Sequence, residues 1–250
     1  MGFRRPDLAE IARAVAYRTA RARGGRALHK DGASFSATLR VVDHPRLGVP
    51  ALDEPGEREA LVRLSRATSL TKSLPDVLGL AVRLPGGGGA GGDLDILMST
   101  STWPRWMPFP SLGFSSSVYS TLISYDHPDG PLRLLAVPAE RGRRISADLD
   151  SLVAAVADRP LEFALGVDHA RRHPLGRLVV HTPLPCDAGE PRGYDPIFNG
   201  HPALRPYGWL RTARAGAYAG SRNARAAGDR PVPGGDRRPA QPVEAGARTP

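Results

Sequence analysis

The sequence is poor in cysteine and in long apolar runs. Its single cysteine, Cys186, rules out an intrachain disulfide, which fits a reducing compartment, and we expect a cytoplasmic protein. No apolar run approaches the ~20 residues of a membrane-spanning helix, so we expect no membrane span. Residues 1–25 carry arginines without a continuous apolar core or a cleavage site, and they are not expected to be a secretory signal.

Lysine is also scarce, with two residues, and arginine supplies most of the net charge of +9. Residues 1–26 and 205–225 each contribute +5, residues 226–250 contribute +1, and the middle of the chain is slightly acidic. Basic ends can bind phosphate. Zinc-ligand spacing, a helix-turn-helix pattern and an aromatic RNA-binding motif are all missing, so we expect no nucleic-acid partner.

The composition divides the chain into two parts. Residues 226–250 lack apolar periodicity and are rich in Pro, Gly and charge, which predicts a disordered tail. Residues 1–225 are expected to form one domain. It would begin with an amphipathic helix whose apolar face carries Leu8, Ile11, Ala12 and Val15.

Strand patterns dominate the middle of the chain. Two turn-rich segments connect neighbouring strands: the Gly-rich stretch 86–92 and the Asp-His-Pro-Asp-Gly-Pro turn at 126–131. The Gly-rich stretch lacks the Lys-Ser/Thr of a phosphate loop, so we interpret it as a hairpin connection. The predicted strands are Phe35–Val42, Val77–Leu84, Leu94–Met98, Val118–Tyr125, Leu132–Val137, Leu161–Val167 and Leu178–Leu184.

Three segments have helical patterns: Glu57–Arg66, Ala147–Ala157 with Ser146 as its N-cap, and Trp209–Ala224. Seven or eight strands joined by short turns, with helices at the periphery, predict an α+β fold. Its centre is expected to be an antiparallel β-barrel of about eight strands.

The last predicted helix contains the spacing Arg214-x3-Tyr218-x2-Ser221-x3-Arg225. Residues about one helical turn apart are neighbours on a helix, so arginine comes within reach of the tyrosine hydroxyl. A nearby guanidinium favours the phenolate over the phenol. A tyrosinate is one of the protein groups that can ligate heme iron. The alternative is a basic surface helix without a ligand.

Four upstream segments contain polar groups that also have ordinary structural explanations. His29 precedes a glycine turn that opens a strand, and the Arg63-Leu-Ser65 segment ends a predicted helix. Asp76 could cap its segment or pair with Arg83. The fourth segment runs from Asp95 to Thr100.

Taken in order, the five segments resemble the heme-dependent catalase superfamily across residues 26–225. The first two, beginning at Arg26 and Arg63, resemble that family's Arg-Val-Val-His-Ala-Lys-Gly and Arg-Phe-Ser motifs. Those beginning at Asp76 and Asp95 resemble Asp-x-x-Gly-Phe-Ala-x-Lys and Asp-Leu-Val-Gly-Asn-Asn. The helix containing Tyr218 resembles the proximal-ligand helix. The resemblance implies a small catalase-related barrel that binds heme b.

The resemblance also implies roles for individual residues. Tyr218 would be the proximal iron ligand, kept deprotonated by Arg214. His29 would be the distal base, oriented by Ser65, and would move a proton within a hydroperoxide. The heme propionates would pair with arginines, whose planar guanidinium suits carboxylates. These arginines are Arg26, Arg63 and Arg225.

The chain departs from the family motif on the distal side. Thr100 aligns with the family's distal asparagine, so we expect weak dismutation of hydrogen peroxide and peroxidase-like oxidation instead. The following aromatics, Trp103, Trp106 and Phe109, either line an altered pocket or are core residues.

The leading functional hypothesis is hydroperoxide-dependent oxidation of a small organic substrate at the heme. Rearrangement of a fatty-acid hydroperoxide and a non-enzymatic heme-binding barrel are alternatives. A hydrolase such as a phosphodiesterase would need a metal cluster or an activated nucleophile, which the sequence does not display. Because the chain is shorter than a full catalase, we expect a monomer or homodimer.

Overall fold

Eight of the nine strands that the structure describes form one closed antiparallel ring. The computed structural model describes residues 31–43, 46–67, 74–168, 174–185 and 193–207. Its strands are β1 Gly32–Val41, β2 Gly56–Arg66, β3 Leu78–Leu84, β4 Leu94–Thr102, β5 Met107–Pro108, β6 Val118–Ser120, β7 Leu134–Pro138, β8 Leu161–Val167 and β9 Pro174–Pro183. Its α-helices are α1 Pro50–Asp53 and α2 Leu149–Asp158.

The strand order closes the barrel. Neighbours follow the order β3-β2-β1-β9-β8-β7-β6-β4, and β3 also pairs with β4, which leaves β5 as an extra strand beside β4. This eight-stranded ring confirms the predicted antiparallel barrel. The predicted N-terminal helix, the helix Trp209–Ala224 and the tail 226–250 lie outside the described residues.

The barrel interior is packed with apolar side chains because successive residues of a strand face opposite sides of the sheet. Phe35, Leu64 and Leu178 are fully buried there. Tyr119 is also fully buried, packs edge-on against Phe163 with ring centroids 5.6 Å apart, and donates a hydrogen bond to the Phe114 carbonyl at 2.9 Å. Burial raises the pKa of Tyr119, so this hydroxyl stays protonated.

The helix predicted for Glu57–Arg66 is wrong, because this segment is strand β2. Its Glu, Arg, Ala and Leu residues have good helix propensity. However, Ala60, Val62 and Leu64 are buried on the inner face, and β2 pairs with β1 on one edge and β3 on the other. Backbone pairing on both edges of β2, together with burial of its inward side chains, overrides the local helix propensity.

The predicted hairpins are confirmed. The Gly-rich stretch 86–92 joins the antiparallel strands β3 and β4. The turn at 126–131 lies between the antiparallel strands β6 and β7 and is bracketed by a bridge between Tyr125 and Leu132. Gly88 is needed at its position because a Cβ atom there would lie 2.2 Å from the Asp93 carbonyl oxygen. Strand β6 is shorter than predicted because Leu122 has φ +57°, which ends the extended backbone.

Helix α2 lies close to its predicted position, with a different cap. Asp148, not Ser146, is the N-cap, and its carboxylate accepts a hydrogen bond from the Ser151 amide at 2.9 Å. At the other end, the Arg143 guanidinium donates to carbonyl oxygens of the last turn, including that of Arg159 at 2.8 Å. A cation at a helix C-terminus favours the helix dipole.

Among the described residues, neither α-helix has the length and apolarity that crossing a membrane requires.

The strand assignment of β2 predicts unequal effects of two neighbouring leucines. Leu64→Ala removes a fully buried side chain and should lower the free energy of unfolding by about 2–5 kcal/mol. Leu61→Ala, on the partly exposed outer face, should cost about 1 kcal/mol. Denaturant unfolding measures both values. On a helix these positions would share a face, so equal losses would contradict the strand.

Candidate functional site

Arg63 and Ser65 lie on the outer face of the barrel. They are two residues apart on β2, so both point away from the interior that contains Leu64. Although they face outward, Arg63 is 7% exposed and Ser65 is 5% exposed. The structure therefore brings these two predicted site residues to one buried patch outside the barrel.

Small residues surround Ser65 across several strands. In register with it are Gly32 on β1 and Gly79 on β3. Ser99 on β4 lies opposite Gly79, and Ser120 on β6 lies opposite Ser99. We call these five residues the small-residue row. Because none of them carries a side chain larger than serine, the outer face is low along this row.

Arg63 occupies the next row of the same face. It lies between Ser34 on β1 and Ala81 on β3. Its guanidinium also lies against Gly32, where a Cβ atom would come within 2.6 Å of Arg63 Cζ. The glycine at position 32 thus makes room for the arginine beside the small-residue row.

Thr100 lies on the opposite face from Ser65. It continues the inward-facing series of Leu94, Ile96 and Met98, and its side chain is fully buried. Its hydroxyl accepts a hydrogen bond from the Leu78 amide at 3.0 Å and donates one to the Phe109 carbonyl at 2.7 Å. Through these two bonds the hydroxyl connects β3 to the segment that follows β4.

Ser99 is the β4 residue that lies in the same row of the outer face as Ser65. The sequence analysis did not select Ser99, because the motif comparison aligned the family's distal asparagine with Thr100. The signal was present in the alternation of Leu94, Ile96 and Met98, which indicates that the odd-numbered residues of this strand face outward.

The aromatics that follow β4 are not core residues. Trp103 is 78% exposed, Trp106 is 52% exposed and Phe109 is 51% exposed. The core alternative for these three side chains is therefore wrong.

A buried ion pair lies on the same outer face, one row beyond Arg63. Arg83 binds Asp95 through two hydrogen bonds of 2.7 Å, from Nε and from one terminal nitrogen. The hydrogen bond with Asp95 raises the pKa of Arg83, which stays charged. Of the two alternatives for Asp76, the pairing with Arg83 is wrong. Asp76 Oδ2 lies 3.3 Å from Arg66 Nε at the end of β2, and Arg83 pairs with Asp95.

Asp95 also holds a later segment of the chain. Its Oδ2 accepts hydrogen bonds from the Asp195 amide at 2.7 Å and from the Asn199 side chain at 2.9 Å. The Arg83 guanidinium lies 4.9 Å from the centre of the Tyr194 ring, within cation–π range. Residues 193–199 are therefore anchored on the outer face by the Arg83–Asp95 ion pair. The sequence motifs that contain these two residues did not indicate this structural role.

The remaining predicted site residues lie outside the described residues. They are the predicted distal His29, the propionate partners Arg26 and Arg225, the predicted ligand Tyr218 and its neighbour Arg214. Within the described ranges, no three His, Cys, Asp or Glu side chains come together as a metal site.

Comparison with solved structures finds catalases. Catalase A from Saccharomyces cerevisiae has a TM-score of 0.59 at 10% identity, covering 80% of this chain and 60% of that one. A fungal catalase has a TM-score of 0.57 at 10% identity, covering 78% and 57%. A bacterial catalase has a TM-score of 0.53 at 10% identity, covering 80% and 57%.

This similarity shows a catalase-like fold. The chain spans about three fifths of the length of these catalases. No family model and no curated protein matches the sequence.

The buried Arg83–Asp95 pair predicts that removing a buried charge lowers the free energy of unfolding much more than removing an exposed one. Asp95→Ala leaves Arg83 buried without its carboxylate and should lower the free energy of unfolding by about 3–5 kcal/mol. Glu57→Ala breaks the exposed pair with Arg40 and should cost about 0–1 kcal/mol. Denaturant unfolding compares the two. Similar losses would contradict a structural role for the pair, and Arg83→Met with Asp95→Leu should recover much of the loss.

Proposed function

We propose that this chain binds heme b against the outer face of its barrel and uses a hydroperoxide to oxidise a small organic substrate. The catalase-like fold and the motif resemblance support this proposal. The observation that carries it is the joint position of Arg63 and Ser65, both buried, on one outer face beside the small-residue row. In the resemblance these two residues contact the propionate and orient the distal base.

The described part of the site fits a planar group. The small-residue row offers a low surface against which a flat macrocycle could lie, and Arg63 at its side offers a guanidinium to a carboxylate. Heme would supply the iron and its redox chemistry when bound.

The chain's own residues would then perform the binding and the proton transfer. Tyr218, as a tyrosinate kept deprotonated by Arg214, would ligate the metal. Arg26 and Arg225 would join Arg63 in binding the propionates. Neutral His29, oriented by Ser65, would accept a proton from the hydroperoxide and return it to the leaving oxygen.

The distal hydrogen-bond donor is the point where this chain differs. Thr100 has its hydroxyl engaged with Leu78 and Phe109. The β4 hydroxyl in the row of Ser65 is that of Ser99, whereas the Ser101 hydroxyl donates to the Val118 carbonyl. A serine is shorter than an asparagine and offers a single donor. Weak dismutation of hydrogen peroxide, with oxidation of another substrate, is the function that this site supports.

A fatty-acid hydroperoxide is the second candidate substrate. Trp103, Trp106 and Phe109 follow Ser99 within ten residues and are more than half exposed, which provides apolar surface near the proposed site. Comparison of turnover with hydrogen peroxide and with a lipid hydroperoxide distinguishes the two candidates.

Heme binding is tested by the visible spectrum of protein purified with heme supplied. We expect a Soret band that shifts or disappears in Tyr218→Phe, because phenylalanine cannot ligate iron. The matched control Tyr207→Phe, at a half-exposed tyrosine, should leave the band unchanged. Arg63→Leu should weaken heme affinity about tenfold or more through loss of a charge-assisted hydrogen bond. Absence of a Soret band, or one that Tyr218→Phe leaves intact, would sink the proposal.

The identity of the distal position is tested by two neighbouring substitutions. Ser99→Asn should raise oxygen evolution from hydrogen peroxide, because it places an amide on the face of Ser65. Thr100→Asn should instead lower the free energy of unfolding by about 1–3 kcal/mol, since it disturbs two buried hydrogen bonds.

The opposite result, in which Thr100→Asn alone raises oxygen evolution, would return the distal role to Thr100.

His29→Ala with heme retained separates an enzyme from a passive heme binder. Turnover should be lost in this variant, and unchanged turnover would contradict the assignment of His29 as the base.

A further inference from the structure

An apolar loop projects from one end of the barrel after β4. Five of its large apolar side chains are at least 41% exposed, although such side chains are normally buried. We call them the apolar loop: Trp103, Trp106, Met107, Phe109 and Leu112. Leu74, which is 58% exposed, lies two residues before Asp76, which forms a bridge with Ser111 of the same segment.

The backbone of this loop is held in a defined conformation. Met107 pairs with Thr102 of β4, and its amide donates to the Pro104 carbonyl at 3.0 Å. The Phe109 amide donates to the Thr100 carbonyl at 2.9 Å, and Arg105 donates to the Ser101 carbonyl at 3.2 Å. The exposed side chains are therefore presented outward by an ordered turn.

The charge around the apolar loop is positive. Residues 96–125 contain no Asp or Glu, and the loop itself carries Arg105. The adjacent turn adds the exposed arginines Arg141 and Arg144, and its Ala147 amide donates to the Leu112 carbonyl at 3.1 Å. Of the acids nearby, Asp76 is buried and paired with Arg66, and Glu140 forms an ion pair with Arg159. Asp148 and Asp150 lie at the N-terminus of α2, where Asp148 is the N-cap.

We propose that the apolar loop docks this protein on an anionic lipid surface. Tryptophan suits the bilayer interface because its ring is apolar and its N–H can stay hydrated. Basic groups at the rim, which are Arg105, Arg141 and Arg144, add attraction to anionic headgroups. A second copy would bring the same positive charge to the contact, which opposes self-association through this loop. The inference does not depend on heme binding.

The test is co-sedimentation of the full-length protein with two kinds of vesicle. One contains phosphatidylcholine alone, and the other contains equal parts of phosphatidylcholine and phosphatidylserine. We expect binding to the anionic vesicles, a blue shift of tryptophan fluorescence on binding, and weaker binding at higher salt because salt screens the headgroup charge.

Matched variants locate the contact. The triple variant Trp103→Ser, Trp106→Ser, Phe109→Ser should lower partitioning to anionic vesicles about tenfold or more. Phe198→Ser, at another side chain that is 75% exposed, should leave partitioning unchanged. The pair Arg141→Glu and Arg144→Glu should reduce binding and its salt dependence. Circular dichroism checks that each variant folds. If the triple variant does not fold, the single variant Trp103→Ser replaces it in the same measurement.

Three results would overturn the proposal. The first is no binding to anionic vesicles. The second is binding that the loop variants leave unchanged, which would assign the contact to the basic ends of the chain. The third is a concentration-dependent dimer in sedimentation velocity that the loop variants abolish, which would make the loop an interface between copies.

Discussion

Pairing of β3 with β4 closes the sheet into a barrel, and the rest of the described structure depends on this closure. A closed antiparallel sheet satisfies its backbone hydrogen bonds around the ring and separates two sets of side chains. Inward residues such as Leu64 and Tyr119 form the core. Outward residues of β1 to β4 are left to form a second, polar surface that includes Arg63, Ser65 and Arg83.

That outer surface is unusual because it is both polar and buried. Arg83 and Asp95 satisfy each other in a two-point ion pair, and Asp95 uses its remaining acceptor capacity on Asp195 and Asn199. Removing charges from water is costly, so such a pair contributes to stability only when its geometry and its further hydrogen bonds are complete. Here the completed network positions residues 193–199, the described segment that leads toward the proposed ligand helix.

The two faces of β4 separate structural from functional candidates. Thr100 stabilises the interior side through two hydrogen bonds, whereas Ser99 belongs to the small-residue row where heme is proposed to lie. The same strand then leads directly into the apolar loop at Trp103. The proposed cofactor face and the proposed lipid-docking loop are thus adjacent along one element, which suits a substrate that is itself apolar.

The sequence alone determined the barrel class and both hairpins, because alternation and turn residues are local signals. Only the tertiary structure decided that Glu57–Arg66 is a strand, since pairing on both edges outweighs helix propensity. It likewise decided that Ser99 shares the face of Ser65. Which side of a sheet a residue faces depends on register with neighbouring strands, and a shift of one residue reverses it.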